Sequence, residues 1–164
     1  MSFLSRAVIL VLVLGTSPIA FGADIDLAPE PKADAPDAAV TAYNEGVRAM
    51  REKHYAEAQQ RFEEALAKRE AFAEAHSNLA YVLRKQGHAN FDASMRHYGR
   101  AIEINPRLAQ AYMYRGVLYT QMGDAAHAQA DLATLKKLDP ALAAKLEAAI
   151  AAGGREDGDA GAVY

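Results

Sequence analysis

The sequence of 164 residues contains no cysteine and no tryptophan, and it has no surplus of positive charge. Without cysteine the chain has no disulfides, no thiol nucleophile and no zinc site built on thiolates. Lysine and arginine number 18 against 21 aspartates and glutamates, which gives a net charge of −3. Because nucleic-acid binding depends on neutralising phosphates, this balance excludes nucleic acid as a predicted partner.

Sequence motifs typical of enzyme active sites, phosphate sites and metal sites are also missing. The chain has no nucleophile elbow, no glycine-rich phosphate loop and no pair of histidines spaced for zinc on one helix. Paired acids such as Glu63 and Glu64 lie near Arg61 and Lys68, as expected of a solvated helix face. We therefore predict that the protein is not an enzyme and that it holds no cofactor and no metal. The five histidines are His54, His76, His88, His97 and His127.

What the chain has in abundance is alanine, especially after residue 33, within a composition that is 51% hydrophobic and 24% charged. That much apolar material supports a folded core, and alanine is the strongest helix former. Runs of β-branched residues are confined to the N-terminal segment. The composition therefore predicts an all-α fold.

The first 22 residues have the layout of a secretory signal peptide. One arginine, Arg6, precedes eight uninterrupted apolar residues at 7–14, and Pro18 ends the apolar stretch. Ala20 and Gly22 place small side chains before a cleavage site that follows Gly22. The alternative is a retained membrane anchor, although the apolar run is shorter than the roughly 20 residues that span a bilayer. We expect export across the inner membrane to the periplasm, with no membrane association after cleavage.

Two further segments have the composition of flexible chain. Residues 23–37 contain Pro29, Pro31 and Pro36 among several acids, which predicts an extended linker. Residues 153–164 contain four glycines and three acids, which predicts a disordered tail. The folded domain is therefore predicted at 38–152.

The predicted domain repeats itself with a period close to 34 residues. Pro106 and Pro140 lie 34 residues apart, and Gly46 and Gly116 lie 70 apart. A period of this length is typical of a solenoid built from one supersecondary unit. Each unit divides into two helical halves at a turn, most clearly at Gly123. The three repeats are 39–72, 73–108 and 109–142.

The repeat resembles the tetratricopeptide repeat (TPR), and the resemblance extends over all three copies. The family has small residues where its two helices cross and a large side chain beside them, because a close crossing leaves no room for other side chains. The first repeat departs from the pattern at Glu70, where the others have proline, and this predicts a smoother helical passage into the second repeat. The matching positions are Gly46, Ala80 and Gly116; Ala58, Ser94 and Ala128; Phe62, Tyr98 and Leu132; Ala65, Ala101 and Leu135; and Pro106 and Pro140.

A final segment, residues 141–152, is predicted to cap the solenoid. Leu142, Leu146 and Ile150 recur at intervals of four and so form one apolar face. The last repeat of a solenoid needs such a cover over its stacking surface. The predicted fold is therefore a TPR-like α-solenoid of three helix-turn-helix repeats plus a C-terminal capping helix.

By resemblance to the family, the first helices of the repeats line a concave groove that binds a partner. Tyrosines and methionines there offer adaptable apolar contacts, asparagines can bond a peptide unit, and the cations can meet a carboxylate. The predicted partner-binding residues are Tyr43, Asn44, Val47, Met50, Arg51, Asn78, Tyr81, Arg84, Lys85, Gln110, Met113, Tyr114, Val117 and Gln121.

The resemblance implies a non-enzymatic adaptor or scaffold that binds a peptide or helix of a partner protein. The alternative is a structural or self-assembling module of a cell-envelope complex, and some groove residues, Tyr81 and Tyr114 especially, could instead pack against the neighbouring repeat. The family's carboxylate clamp is not matched, because only Asn78 agrees with it. The other positions of the clamp are occupied in this chain by Tyr43, Val47, Gln110 and Tyr114.

Overall fold

The computed structural model describes residues 37–155, and every regular element in that range is a helix. A short 3-10 turn, His88–Asn90, precedes the fourth α-helix. The α-helices are α1 (Ala38–Arg51), α2 (Tyr55–Lys68), α3 (Ala73–Lys85), α4 (Phe91–Ile104), α5 (Ala109–Gln121), α6 (Ala125–Leu138) and α7 (Pro140–Ala151).

The helices pack as three consecutive antiparallel pairs followed by a single helix. The pairs are α1 with α2, α3 with α4 and α5 with α6, and each pair stacks on the next through α2 and α3 or through α4 and α5. Helix α7 packs against both α5 and α6. This arrangement confirms the predicted all-α solenoid of three repeats with a capping helix.

Aspartates begin three of the helices. Asp37 accepts a hydrogen bond from the backbone N–H of Ala39 at 2.8 Å, and Asp124 accepts one from the N–H of His127 at 3.1 Å. Asp139 accepts from the N–H groups of Ala141 and Leu142, with Pro140 at the first position of α7. Each carboxylate satisfies backbone donors that the first turn of a helix leaves unpaired.

The predicted smooth passage between the first two repeats is wrong. Helix α2 ends at Lys68, and Arg69 adopts an extended backbone conformation (φ −143°, ψ 92°). Asn105 and Asp139 have nearly the same conformation one residue before Pro106 and Pro140. The break therefore does not need the proline; the chain must turn there so that the next helix can pack back onto the previous pair.

Glycine allows a close approach at two places in the packing. A Cβ atom on Gly46 would lie 2.7 Å from Cε1 of Phe62, so the predicted pairing of a small residue with a ring is confirmed in the first repeat. A Cβ atom on Gly116 would lie 2.6 Å from a methyl carbon of Leu146, which belongs to α7. In the third repeat the glycine therefore accommodates the capping helix, and the nearest side chain is not the predicted Leu132.

Replacing Gly46 with alanine is expected to destabilise the protein by about 1 kcal/mol. The overpacking against the buried Phe62 ring, about 1–3 kcal/mol, outweighs the gain in helix propensity of about 1 kcal/mol. Gly99 in α4 is the matched control, because nothing lies within 4 Å of a Cβ built there. Gly99→Ala should raise the urea midpoint, and an equal rise for Gly46→Ala would contradict the close approach.

The predictions for the two ends of the chain fall mainly outside the described residues. Three predicted segments lie outside the residues that the structure describes: the signal peptide at 1–22, the linker up to residue 36, and residues 156–164 of the tail. The first residues of the predicted tail are described: Gly153 and Gly154 form a turn after α7, and Gly154 is buried. Within 37–155 no helix has the length and apolar character needed to cross a membrane.

Candidate functional site

Helices α1, α3 and α5, the first helices of the three repeats, lie side by side. We call the side of these helices that carries the fourteen predicted binding residues the inner face. Most of its polar members keep access to solvent, although Arg84 is buried. Asn44 and Arg51 are exposed, and Asn78, Lys85, Gln110 and Gln121 are half-buried. Its apolar members lie deeper, so the inner face is a polar surface over a packed apolar base.

Several of the predicted residues belong mainly to that base. Met50, Met113 and Tyr114 are buried, and Val117 has no exposed surface at all. Val47 and Tyr43 are half-buried at its edge. Val117 is therefore a packing residue, and the amide side chains together with Arg51 and Lys85 keep more access to solvent.

Tyr43 and Asn78 join the first two repeats on the inner face. The Nδ2 of Asn78 donates a hydrogen bond to the hydroxyl of Tyr43 at 3.1 Å. The Tyr43 ring lies between Phe62 and Phe72, with ring centroids 5.8 and 4.8 Å away. Burial, with a contribution from the nearby charge of Glu74, raises the pKa of the Tyr43 phenol, so the hydroxyl stays neutral. The pair fixes the orientation of the Asn78 amide.

The second and third repeats are joined by a cluster of aromatic rings and cations. The rings of Tyr81 and Tyr114 lie 4.9 Å apart, and the guanidinium carbon of Arg84 lies 5.4 and 6.0 Å from their centroids. Nζ of Lys85 lies 5.8 Å from the Tyr81 ring. Such cation–π contacts hold the positive charges in place. An Nη of Arg84 also donates to Oε1 of Gln121 at 3.4 Å.

A cavity of about 540 Å³ opens beside this cluster, at the C-terminal ends of α3 and α5. Among the described residues that line it, three are cationic and none carries a carboxylate. The side-chain Nε2 of Gln121 donates to the backbone oxygen of Gly154 at 2.9 Å, which holds the turn after α7 against this site. The lining residues are Arg84, Lys85, Gly87, His88, Phe91, Gln121, Gly153, Gly154 and Arg155.

Sequence reasoning missed a contact between two histidines of the second repeat. Nδ1 of His76 in α3 lies 2.9 Å from Nδ1 of His97 in α4, and the two rings stack. Nε2 of His76 lies 3.0 Å from the backbone oxygen of Glu70. Because a carbonyl only accepts, His76 carries its proton on Nε2, and its bare Nδ1 accepts from the Nδ1–H of His97. No group of three or more potential metal ligands occurs in residues 37–155.

The histidine pair makes stability depend on pH. Burial is the main reason that the pKa of each imidazole is lowered. The charge of Arg100 lowers the pKa of His76 further, and the hydrogen bond to the backbone of Glu70 opposes this. The charge of His76 lowers the pKa of His97 further, and the charge of Glu63 opposes this. Since the folded pKa lies below the unfolded value of about 6.5, the pair stabilises the fold above that pH and loses this contribution as the pH falls.

We therefore expect the free energy of unfolding to fall as the pH is lowered from neutrality, and His97→Gln to flatten that dependence. The variant keeps an N–H donor but loses one titrating ring, and it should cost about 1 kcal/mol at neutral pH for an imperfect hydrogen bond. Urea unfolding followed by circular dichroism across the pH range measures both effects. Parallel curves for the two proteins would contradict the assignment.

No protein-family model and no curated protein matches the sequence. Solved structures do match. The TPR domain of Arabidopsis OM64 is 21% identical with a TM-score of 0.64, over 70% of this chain and 95% of that domain. The first TPR domain of Spaghetti (RPAP3), bound to the HSP90 peptide SRMEEVD, is 18% identical with a TM-score of 0.62, over 70% and 94%.

A third similar structure is the Yersinia enterocolitica type III secretion chaperone SycD in complex with a peptide of the translocator YopD. It is 13% identical with a TM-score of 0.64, over 73% of this chain and 94% of that one. At these identities the likeness concerns the fold. The paired helices, the small residues at their crossings and these structural matches together show that the described part of the chain is a TPR-like α-solenoid.

Proposed function

We propose that the protein is a non-enzymatic adaptor that binds an extended peptide or a helix of a partner protein on the inner face. The observation that carries the proposal is the row of accessible amides and cations across α1, α3 and α5. Amide side chains can bond both the N–H and the C=O of a peptide unit, and Arg51 and Lys85 suit acidic side chains. A groove of this kind is a common way to recognise a peptide segment.

Two of the similar structures support this proposal. RPAP3 and SycD were each solved with a peptide, from HSP90 and from YopD respectively. We also propose that the adaptor works after export, because residues 1–22 have the layout of a signal peptide. Self-assembly of the solenoid is the competing proposal, and the experiment below separates the two.

The test places a photo-crosslinking amino acid at position 44 on the inner face of the chain and, as a control, at position 129. Both native residues, Asn44 and Gln129, are exposed, but Gln129 lies on α6 in the layer of second helices. Irradiation of cells that produce the protein should give adducts of discrete mass from position 44 and not from position 129. Mass spectrometry of the adducts identifies the partner.

Arg51→Ala should lower the adduct yield roughly tenfold, since an anchoring arginine typically contributes more than 1 kcal/mol to binding. Lys137→Ala, at an exposed site on α6, is the matched control and should change nothing. Equal crosslinking from both positions would contradict the inner face as the binding site. Adducts consisting only of a second copy of the chain would favour self-assembly.

A further inference from the structure

We infer that a second cavity, between the first turns of α5 and α7, binds one acidic side chain of a partner peptide together with a neighbouring aliphatic side chain. The inference deepens the function proposed above and rests on it. This cavity has a volume of about 410 Å³, which lies within the roughly 300–1,000 Å³ of pockets that hold small ligands.

Part of the cavity is apolar and suits an aliphatic side chain. Leu108 and Ala109, at the start of α5, are half-buried, and Leu142 in the first turn of α7 is buried. An aliphatic group that covers these residues removes apolar surface from water, which favours binding. The apolar part of the cavity therefore accounts for the aliphatic half of the proposed ligand.

Two cations in the lining suit a carboxylate. The side chains of Arg107 and Lys145 are exposed, and within residues 37–155 neither side chain forms an ion pair or a hydrogen bond. An arginine meets a carboxylate through its planar fork of donors, whereas a lysine acts as a point charge. Both cations are therefore available to a ligand that approaches from solvent.

The charge of the lining matches a single carboxylate. Among the described lining residues, Asp139 is the one acid, so its charge and the charges of Arg107 and Lys145 leave a net charge of +1. Oδ1 of Asp139 accepts the N–H groups of Ala141 and Leu142 at 2.9 and 3.0 Å, so this carboxylate is bound to the start of α7. A phosphate carries a charge of about −1.5 to −2 and would be attracted less well than its charge implies, because Asp139 repels it.

The wall that carries Arg107 is ordered before a ligand binds. Oδ1 of Asn105 accepts a hydrogen bond from the backbone N–H of Arg107 at 3.0 Å, and its backbone oxygen accepts one from the N–H of Leu108 at 3.0 Å. The hydroxyl of Tyr112 in α5 donates to the backbone oxygen of Pro106 at 3.1 Å. Because these contacts already hold the loop, binding there costs less conformational entropy.

Gln110 connects the cavity with the inner face. It is one of the fourteen predicted binding residues, and it also lines the cavity. A peptide that lies on the inner face over the first turn of α5 therefore passes the cavity and can place two adjacent side chains in it. This continuity favours a peptide over a free small carboxylate as the occupant.

The test uses the capped peptide acetyl-leucyl-glutamyl-leucyl-amide and the nitrogen-15-labelled protein. Titration should shift the amide signals of Leu108, Ala109 and Leu142, and those of Gly87 and Gln121, at the other ends of α3 and α5, should stay in place. The same peptide with glutamine for glutamate should bind about tenfold more weakly, because it loses two exposed ion pairs. Equal binding of the two peptides, or shifts largest at Gly87 and Gln121, would overturn the inference.

Two further probes separate the other possible ligands. Hexanoate has one carboxylate on an apolar chain, and it should bind more weakly than the glutamyl peptide. The peptide with phosphoserine for glutamate should bind no more tightly than the glutamyl peptide. Tighter binding of hexanoate would make a free carboxylate the ligand, and tighter binding of the phosphopeptide would contradict the match to a single negative charge.

Variants of the protein test the two cations. Lys145→Gln and Arg107→Gln should each raise the Kd of the glutamyl peptide about threefold, since each removes one exposed ion pair. Both sites are exposed, so the fold should tolerate these changes. Lys137→Gln, at an exposed site on α6 outside the cavity, is the matched control and should leave the Kd unchanged. An equal effect of all three variants would show that the peptide responds only to net charge, which would overturn the site.

Failure of this inference can be told apart from failure of the adaptor function. Adducts from the crosslinker at position 44 without charge-dependent binding of the peptide would overturn the cavity as a subsite and leave the adaptor function standing. Charge-dependent binding of the peptide at Leu108 and Leu142 without adducts from position 44 would overturn the proposed function and leave the binding chemistry of the cavity.

Discussion

Replacing Ala58 with arginine is expected to destabilise the protein by about 3 kcal/mol or more. Ala58 lies in α2, has no exposed surface and belongs to the core that contains Met50 and Phe62. An arginine there must either force the first two helices apart or leave its charge in an apolar core without a partner. Either result removes the packing on which the first repeat depends.

Ala56→Arg is the matched control, because Ala56 lies on the same helix and is exposed. It should leave the free energy of unfolding within about 0.5 kcal/mol of the native value. Chemical unfolding followed by circular dichroism compares the two variants. An unchanged midpoint for Ala58→Arg would show that the first repeat is not packed as described.

The fold was predictable because its decisive residues repeat in the sequence. Small residues such as Ala58 and Gly46 recur at a fixed spacing, and each has the same physical task, which is to let two helices cross closely. Apolar leucines at intervals of four predicted the capping helix in the same way. Periodicity of this kind reports on contacts within a repeat and with its immediate neighbour.

Contacts that do not repeat were not predictable. His76 and His97 meet across α3 and α4, and no other repeat has histidines at both positions. The pairing of Gly116 with Leu146 was missed for a similar reason, since α7 occurs once. A single sequence gives no signal for pairs formed by residues that are distant in the chain and different in type.

The sequence placed the fourteen candidate residues on particular helices, but it did not predict how deeply each one is buried. Family resemblance placed all fourteen residues on the first helices, and the structure separates them by burial. Val117 in α5 is wholly buried, whereas Asn44 in α1 is exposed. Depth depends on the side chains of neighbouring helices, which the helical period alone does not describe.

Replacing Asp131 with alanine is expected to destabilise the protein by about 3 kcal/mol, the lower end of the range for breaking a buried ion pair. Nε and an Nη of Arg115 donate to the two carboxylate oxygens of Asp131 at 3.0 and 2.7 Å. Burial alone would lower the pKa of Arg115, but the hydrogen bonds and charge of Asp131 raise it, so the guanidinium stays charged. The variant leaves that charge without its carboxylate.

The expected cost is at the lower end of that range because the Arg115 side chain is 20% exposed, whereas the Asp131 side chain is 4% exposed. Water can therefore partly solvate the guanidinium that the variant leaves unpaired. Glu147→Ala is the control: it breaks the exposed pair of Glu147 with Lys136 and should cost less than about 1 kcal/mol. The double variant Arg115→Met, Asp131→Leu should recover most of the loss, because it removes both charges and keeps the volume. If the double variant were as unstable as Asp131→Ala, the cost would come from packing around α5 and α6, and the unpaired charge would not be its cause.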